Sequence, residues 1–508
     1  MVQSEKISPP PSTKLEEAQE PNFGQNEYEV EISAISEDHR QYLIQKHGTF
    51  ELDPIPDMSD ADPYNWSQKK KVINLILVAF HAMMATFIAA SIMAAFVDIA
   101  ADLNIGLQTA SYLTSLVIAI LGIAPLFWRP LSQRYGRRPI FLISLVFSSV
   151  GNIGCANSQT YGTMALCRAI TAFFISPAAA IGSGVVVETF FKKERARYMG
   201  IWTIMVTLGV PVAPFIFGFV AIRVGYRWIY YILAISSKTN AVQLVLYFFF
   251  GPESRYVRGS EVPETERHKS DFQKQHVSFR RIDRTPITWY DFVEPFRYVA
   301  YPCVLLPAIA YAMEFLWTSI MVTVMIPQLF PELFGFDAQQ NGLQLISVIV
   351  GTIIGEQIGG RMSDVWMSKR RRRLGGRSPE PEFRLWLSYL GFVLCIVGLV
   401  VFLVQIYYAG HTWNVTPLIG AGICSAGNQI VTTVLVTYSV DCYRHDAASV
   451  GVFIAFIRQI WGFLGPFWFP QMIEETGYGA TAGAATAMII ALSVIPILAV
   501  QFKGRSWR

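Results

Sequence analysis

Several ionisable side chains of this 508-residue chain lie inside long apolar runs, among them His81, Arg168, Glu314 and Arg458. A charge at membrane depth is costly, and it usually faces a cavity or a partner. Glu314 is flanked by Tyr311, Phe315 and Trp317. A carboxyl there could accept a proton, or hold a cationic amine with help from cation–π attraction to its aromatic neighbours. The competing reading pairs Glu314 with Arg458, and the two are compatible because such a pair can open when a substrate arrives. His81 is a candidate proton relay, or else a histidine satisfied by a nearby hydroxyl. Asn428 and Gln429 could hydrogen-bond a substrate or pack between helices. Glu356 and Asp441 fall near the ends of their apolar runs and read as gate or latch groups.

Other chemistries have no residues to carry them. There is no HExxH, no nucleophile elbow and no GxxxxGK[ST] loop, so an enzyme or an ATP-driven pump is not expected, and no cofactor is implied. The six cysteines (Cys155, Cys167, Cys303, Cys395, Cys424, Cys442) show no CxxC spacing, which argues against a metal or a disulfide and for small apolar fillers. No basic stripe suited to nucleic acid appears outside the loops.

These residues must be positioned by membrane-crossing helices. Hydrophobic residues make up 52% of the chain and charged ones 15%, where a globular protein carries about 25% charged. Twelve apolar stretches are each long enough to cross a hydrocarbon core, which takes ~20 residues. They predict an all-α, polytopic fold with spans near 72–95, 109–129, 139–157, 162–187, 200–222, 228–250, 300–326, 341–362, 385–408, 415–438, 449–471 and 481–502. A polar tail, 1–71, precedes them. Pro9, Pro10, Pro11 and its Glu residues predict disorder at the start, with a short ordered piece over His39–Leu52. No cleavable signal peptide is visible, so the first span is expected to serve as the insertion signal.

Lys69–Lys71, Arg134/Arg137/Arg138, Lys192/Lys193/Arg195/Arg197, Lys369–Arg373 and the 503–508 end all fall on one side. Positive loops stay cytoplasmic, which puts both termini inside. The polar loop 251–299 splits the spans into halves, 72–250 and 300–502, each with a basic loop between its second and third spans. Two similar six-span halves imply a parallel repeat with a substrate route between them. Gly351, Gly355 and Gly359 recur every four residues and read as a packing seam.

Three motifs carry a resemblance. The first is Pro130-Leu131-Ser132-Gln133-Arg134-Tyr135-Gly136-Arg137-Arg138-Pro139, where Gly136 permits a tight turn. Its cations can bind helix C-termini and carboxylates and latch the halves, or can simply set topology. Glu188, at the end of the fourth span, is read as a partner for them. In the second half, Gly360-Arg361-Met362-Ser363-Asp364 holds matching pieces, and Asp364 can pair with a nearby Arg. The second motif is Gly209-Val210-Pro211-Val212-Ala213-Pro214-Phe215-Ile216-Phe217-Gly218, where small residues allow close helix contact and Pro214 removes a backbone hydrogen bond. The third is Arg168 in the fourth span.

Together these resemble the major facilitator superfamily over nearly the whole chain. More narrowly, the chain resembles its fungal twelve-span drug:proton antiporters, including a polyamine- and cation-transporting branch. The resemblance implies a latch at Arg134, Gly136, Arg137 and Arg138, and a hinge and seal at Gly209, Ala213, Pro214 and Gly218. It also implies a tie between Arg168 and proton transfer. Arg129 and Gln133 depart from the first motif (Gly and an acid), and Ala213 and Phe217 replace glycines of the second. Pro252-Glu253-Ser254-Arg255 is similar to a sugar-porter motif but lacks its second proline.

The function expected is therefore a proton-coupled transporter of small amphipathic or cationic molecules, working by alternating access as a monomer. Export is the first choice and polyamine uptake the second, with sugar symport a third. Its partners are a small-molecule substrate, protons and the lipid bilayer, with the plasma membrane as the expected location.

Overall fold

The computed structural model describes residues 35–256, 281–283, 285–375, 379–443 and 446–507, apart from the side chains at 192, 193, 196 and 234–244. The expected disorder of the first residues, and the middle of the 251–299 loop, lie outside the described residues. The chain divides into two units, Met1–Ser59 and Asp60–Arg508. In the first, Ser36 caps a helix over Glu37–His47 by accepting from the His39 N–H, which agrees with the ordered piece expected there.

All regular structure among the described residues of the second unit is helical. The long helices are α1 (Gln68–Asp102), α2 (Leu107–Tyr135), α3 (Arg137–Ala156), α4 (Tyr161–Thr189), α5 (Lys192–Val224) and α6 (Arg227–Phe250). They continue with α7 (Pro302–Phe334), α8 (Ala338–Arg373), α9 (Pro381–Ala409), α10 (Thr416–Cys442), α11 (Ala447–Phe467) and α12 (Phe469–Trp507). Eleven stretches among the described residues are long and apolar enough to cross a membrane; α6, a further helix of 24 residues, lies between the fifth and the sixth of them.

Local chemistry explains several boundaries. Thr160 opens α4 and Asp337 opens α8 through reciprocal capping boxes. Gly136 separates α2 from α3 as a one-residue turn with φ 98°, in the left-handed region that favours glycine. Gly477 (φ 78°) leaves helical geometry and divides α12 in two, so its second part starts just past Gly477, close to the expected 481. α7 and α8 each contain a π-helical turn, Phe315–Ile320 and Gln357–Met362, of the kind that often accompanies functional sites.

In the first half, α1 packs on α4 and α5, and α3 packs on α4 and α6. In the second, α9 packs on α10, α8 on α10, and α7 on α10, α11 and α12. The glycine seam is real and wider than expected. A Cβ on Gly351 would sit 2.1 Å from the Gly422 carbonyl oxygen, and one on Gly355 would sit 2.4 Å from that of Ala426. On the other side of α10, a Cβ on Gly398 would lie 2.3 Å from the Cys424 nitrogen, and one on Gly427 would lie 2.6 Å from the Cys395 nitrogen. Backbones this close leave no room for a methyl group, so only glycine fits.

The halves meet chiefly through α2 against α11 and α5 against α8. Two ends of the molecule can be told apart by the Arg134–Arg138 loop, here called the basic face. At the opposite face Gln108 donates to the Pro466 carbonyl, and Tyr112 stacks on Phe467 with ring centroids 4.5 Å apart. Toward the basic face Arg129 donates to Ser449 Oγ at 2.5 Å.

Candidate functional site

A cavity lies between the halves. The first half lines it from α1, α2 and α5, with Thr86, Thr114 and Thr207 among the contributors. The second half lines it from α7, α8, α10 and α11, and supplies Tyr311, Thr352, Asn428 and Arg458. Hydroxyls and amides alternate with apolar side chains such as Ile118, Leu121, Val210 and Val348. A mostly apolar wall with a few placed polar groups suits a small organic ligand.

Three residues picked from the sequence thus reach the cavity: Tyr311, Asn428 and Arg458. The Arg458 Nη1 donates to Tyr311 Oη at 2.9 Å, and its guanidinium lies 4.7 Å from the Phe315 ring centroid. The expected pairing of Arg458 with Glu314 does not occur. Glu314 is 0% exposed and does not line the cavity, and neither of its carboxyl oxygens has a hydrogen-bond partner. Its neighbours include the thiols of Cys395 and Cys424, which are at best weak donors. The wall residues Tyr311 and Phe315 sit one helical turn apart on α7 and share a face. Glu314 points elsewhere, at the last residue before the π-helical turn.

Other selected residues sit away from the cavity. Trp317 is fully buried against Trp468 and Phe469, with ring centroids 5.3 Å away in each case, so it belongs to the packed core of the second half. Gln429 turns from its neighbour Asn428 toward α8, where it donates to Glu356 at 2.7 Å; Thr433 donates to the same oxygen at 2.9 Å. His81 is fully buried with its Nε2 3.0 Å from Ser144 Oγ, which is the hydroxyl-satisfied arrangement. Arg168 donates to the carbonyls of Leu113 and Ala89, both at 3.1 Å. It staples α4 to α2 and α1 through backbone acceptors, and no carboxylate pairs with it among the described residues.

The second motif works as a close-contact strip on α5. A Cβ on Gly209 would lie 2.1 Å from Thr86 Oγ1 on α1. A Cβ on Gly218 would lie 2.4 Å from the Ala338 carbonyl on α8, and one on Gly342 would lie 2.5 Å from the Pro214 carbonyl. Ala213 is buried beside this strip. Phe217, which replaces a glycine of this motif, fills the core against Phe87 at 5.3 Å between ring centroids.

The basic loop is a buried charge network. Arg137 binds Glu188 at 2.8 Å and Ser132 Oγ at 2.6 Å. Arg138 donates to the carbonyls of Gly251 (2.9 Å) and Phe248 (2.8 Å) at the end of α6. A residue that sequence reasoning assigned to another motif completes it. Glu253 accepts from the backbone N–H groups of Arg137 (2.8 Å) and Arg138 (3.0 Å), at the first turn of α3, and from that of Arg255 (2.8 Å). An anion at a helix N-terminus satisfies orphan donors and meets the positive end of the dipole. Burial pushes the Glu253 carboxyl above its ordinary range, the three N–H groups pull it back, and the nearby Glu188 charge raises it again.

One departure from the first motif, Arg129, also finds its reason here. Arg129 pairs with Glu294 at 2.7 Å and, through Ser449, touches α11 of the other half. Arg134 pairs with Asp283 and lies 3.6 Å from Asp291, both on the segment leading into α7. An Arg in place of the motif's Gly therefore binds the linker between the halves. In the second half Arg384 bonds Asp364 at 3.3 Å and lies 3.9 Å from Asp441.

The family model described as Major Facilitator Superfamily matches residues 75–466. The chain is 26% identical over 458 residues to "Uncharacterized transporter C1529.01" of Schizosaccharomyces pombe, covering 88% of this chain and 91% of the relative. It is 25% identical to "Efflux pump vrtL" of Penicillium aethiopicum over 470 residues, or 88% and 91% of the two chains. Among solved structures it is similar to the peptide transporter POT in complex with alafosfalin, with a TM-score of 0.60, 15% identity and coverage of 88% and 97%. The helical halves, the cavity between them and a match over most of the length agree: the chain is a membrane transport protein that belongs to the Major Facilitator Superfamily.

Proposed function

We propose that this protein is a proton-coupled secondary transporter that moves small amphipathic organic molecules out of the cell by alternating access. The observation that carries the reading is the cavity, which takes its wall from both halves. A site shared between two bodies can open to either side as they rock, while its ligand stays near mid-depth. The close strip at Gly209, Ala213, Pro214 and Gly218 supports a seal on the face away from the basic loops. The Arg134, Gly136, Arg137, Arg138 and Glu188 network supports a latch, with Asp364, Asp441 and Glu356 as its counterparts in the second half. Relatives named efflux pumps favour export. The same reading includes twelve crossings, both termini in the cytoplasm, a plasma-membrane location and a monomer.

Glu314 is the group we assign to the proton. It is enclosed and unpartnered on the helix that presents Tyr311 and Phe315 to the cavity. Burying an uncompensated charge costs several kcal/mol. Loading or unloading a proton there is thus linked to how α7 packs, and through α7 to the cavity wall. The test is probe movement by purified protein in liposomes under an imposed pH gradient. Wild type accumulates the probe against its gradient. Glu314→Gln loses accumulation but keeps exchange at equal pH. Undiminished pH-driven accumulation in that variant removes Glu314 from the proton path.

A further inference from the structure

The charge of the cavity wall points to its cargo. Among the described residues that line it, one is charged, and that residue is Arg458. Among the described residues no Asp or Glu reaches the wall: Glu314 lies behind it, and Glu356 is turned to Gln429 and Thr433. Arg458 itself has no acidic partner among the described residues. Its Nη1 is used by a neutral phenol, its Nε has no partner, and Phe315 and Tyr311 lie 4.7 and 5.5 Å from its charge centre. A guanidinium held at mid-depth without a counter-charge is costly to maintain. It is also a ready fork for a carboxylate-like group. Five of the wall's hydroxyls (Thr86, Thr207, Thr323, Ser425 and Thr432) already donate to backbone carbonyls, which leaves the unpartnered Thr114 hydroxyl and the amide N–H groups of Asn428 and Gln459 among the donors an anion can use.

We propose that the cavity selects small amphipathic organic anions, with the anionic group on Arg458 and the apolar body against α2, α5 and α8. This rests on the transport reading above, and it narrows the substrate class away from the amines that the sequence suggested. A cationic amine would meet a like charge across a water-poor space, where repulsion is strong.

The experiment uses three probes with one skeleton and different charges: 2-naphthoate, 2-naphthylmethylammonium and neutral 2-naphthylmethanol. Binding is measured on the full-length protein in detergent, and counterflow exchange is measured in liposomes. Wild type should bind and exchange naphthoate at least about tenfold better than the ammonium probe, as one charge-assisted contact allows. Arg458→Gln should erase that preference, and Arg458→Lys should restore part of it. The wild-type comparison needs no variant, so a variant that fails to fold does not rescue the proposal. If the ammonium or neutral probe is handled as well as naphthoate, or Arg458→Gln keeps full naphthoate binding, the anion assignment falls while the transport reading stands. If anion-selective binding occurs in detergent without flux in liposomes, the assignment stands and the transport reading falls. If none of the probes binds, the assignment is overturned.

Discussion

The α2–α3 and α8–α9 junctions occupy corresponding places in the two halves, yet their charge networks differ in depth. At α2–α3, Arg137 and Arg138 are buried, and two acids, Glu188 and Glu253, tie α2, α3, α4 and the end of α6 together. At α8–α9, Arg384 faces Asp364 and Asp441, whose side chains are 39% and 33% exposed, at 3.3 and 3.9 Å. The first network excludes water and accepts from backbone as well as from side chains. The second is partly exposed on its acid side, although Arg384 is only 11% exposed, and it rests on longer contacts. Buried ion pairs are hard to break one partner at a time, whereas exposed pairs contribute little. The difference makes the first half's junction the firmer joint of the proposed latch and the second half's the looser one.

The comparison can be broken most sharply at Arg137. Arg137→Ala strands Glu188, leaving it Arg255 at 3.5 Å, and is expected to cost about 3–5 kcal/mol with a matching loss of turnover. Thermal unfolding in detergent and exchange rates in liposomes would measure both, and a variant with wild-type values reduces the loop to a topology signal. Glu253→Gln comes next, at about 2 kcal/mol, because it removes the charge from three hydrogen bonds and turns one of the two acceptor oxygens into an NH2 that faces a backbone N–H.

Glu253 also predicts a pH effect. Its folded carboxyl holds its proton above the ordinary value of 4.5, so between that pH and its folded value the native state binds more protons than the unfolded one. Wild-type stability should therefore fall as pH rises from 4.5 through this window. The slope should be smaller in Glu253→Gln, and identical melting curves across pH for the two proteins would remove the effect. The smallest change belongs to the second half: Asp364→Asn should cost about 0.5 kcal/mol, and less at high salt. A cost equal to that of Arg137→Ala would erase the contrast between the joints.

Much of this was legible from residues alone. Twenty-residue apolar runs announce membrane helices, and the Arg137–Glu188 pair follows from a loop motif and an acid at the end of the fourth span. Facing is what the runs conceal. A helix apolar all round carries no stripe to say which side meets the cavity. Hence Trp317 and Gln429 turn out to be core and interhelical residues, while Arg458, Tyr311 and Asn428 reach the wall. The π-helical turn after Glu314 adds a rotation that a 3.6-residue period does not anticipate. Glu253 was missed for a different reason. It lies 116 positions from the Arg137 N–H it binds, and a backbone donor leaves no trace in side-chain identity. The one available signal was an acid placed three residues past the end of a span.

The glycine contacts on both sides of α10 carry a mechanical consequence. Three helices whose backbones touch cannot slide past one another without prising the contact apart, so α8, α9 and α10 travel as a single plate. On the alternating-access reading proposed above, Thr352 on α8 and Asn428 on α10 then keep a constant spacing as the halves move. That wall of the chamber acts as a rigid template, and any reshaping of the chamber during a cycle falls to the helices around it.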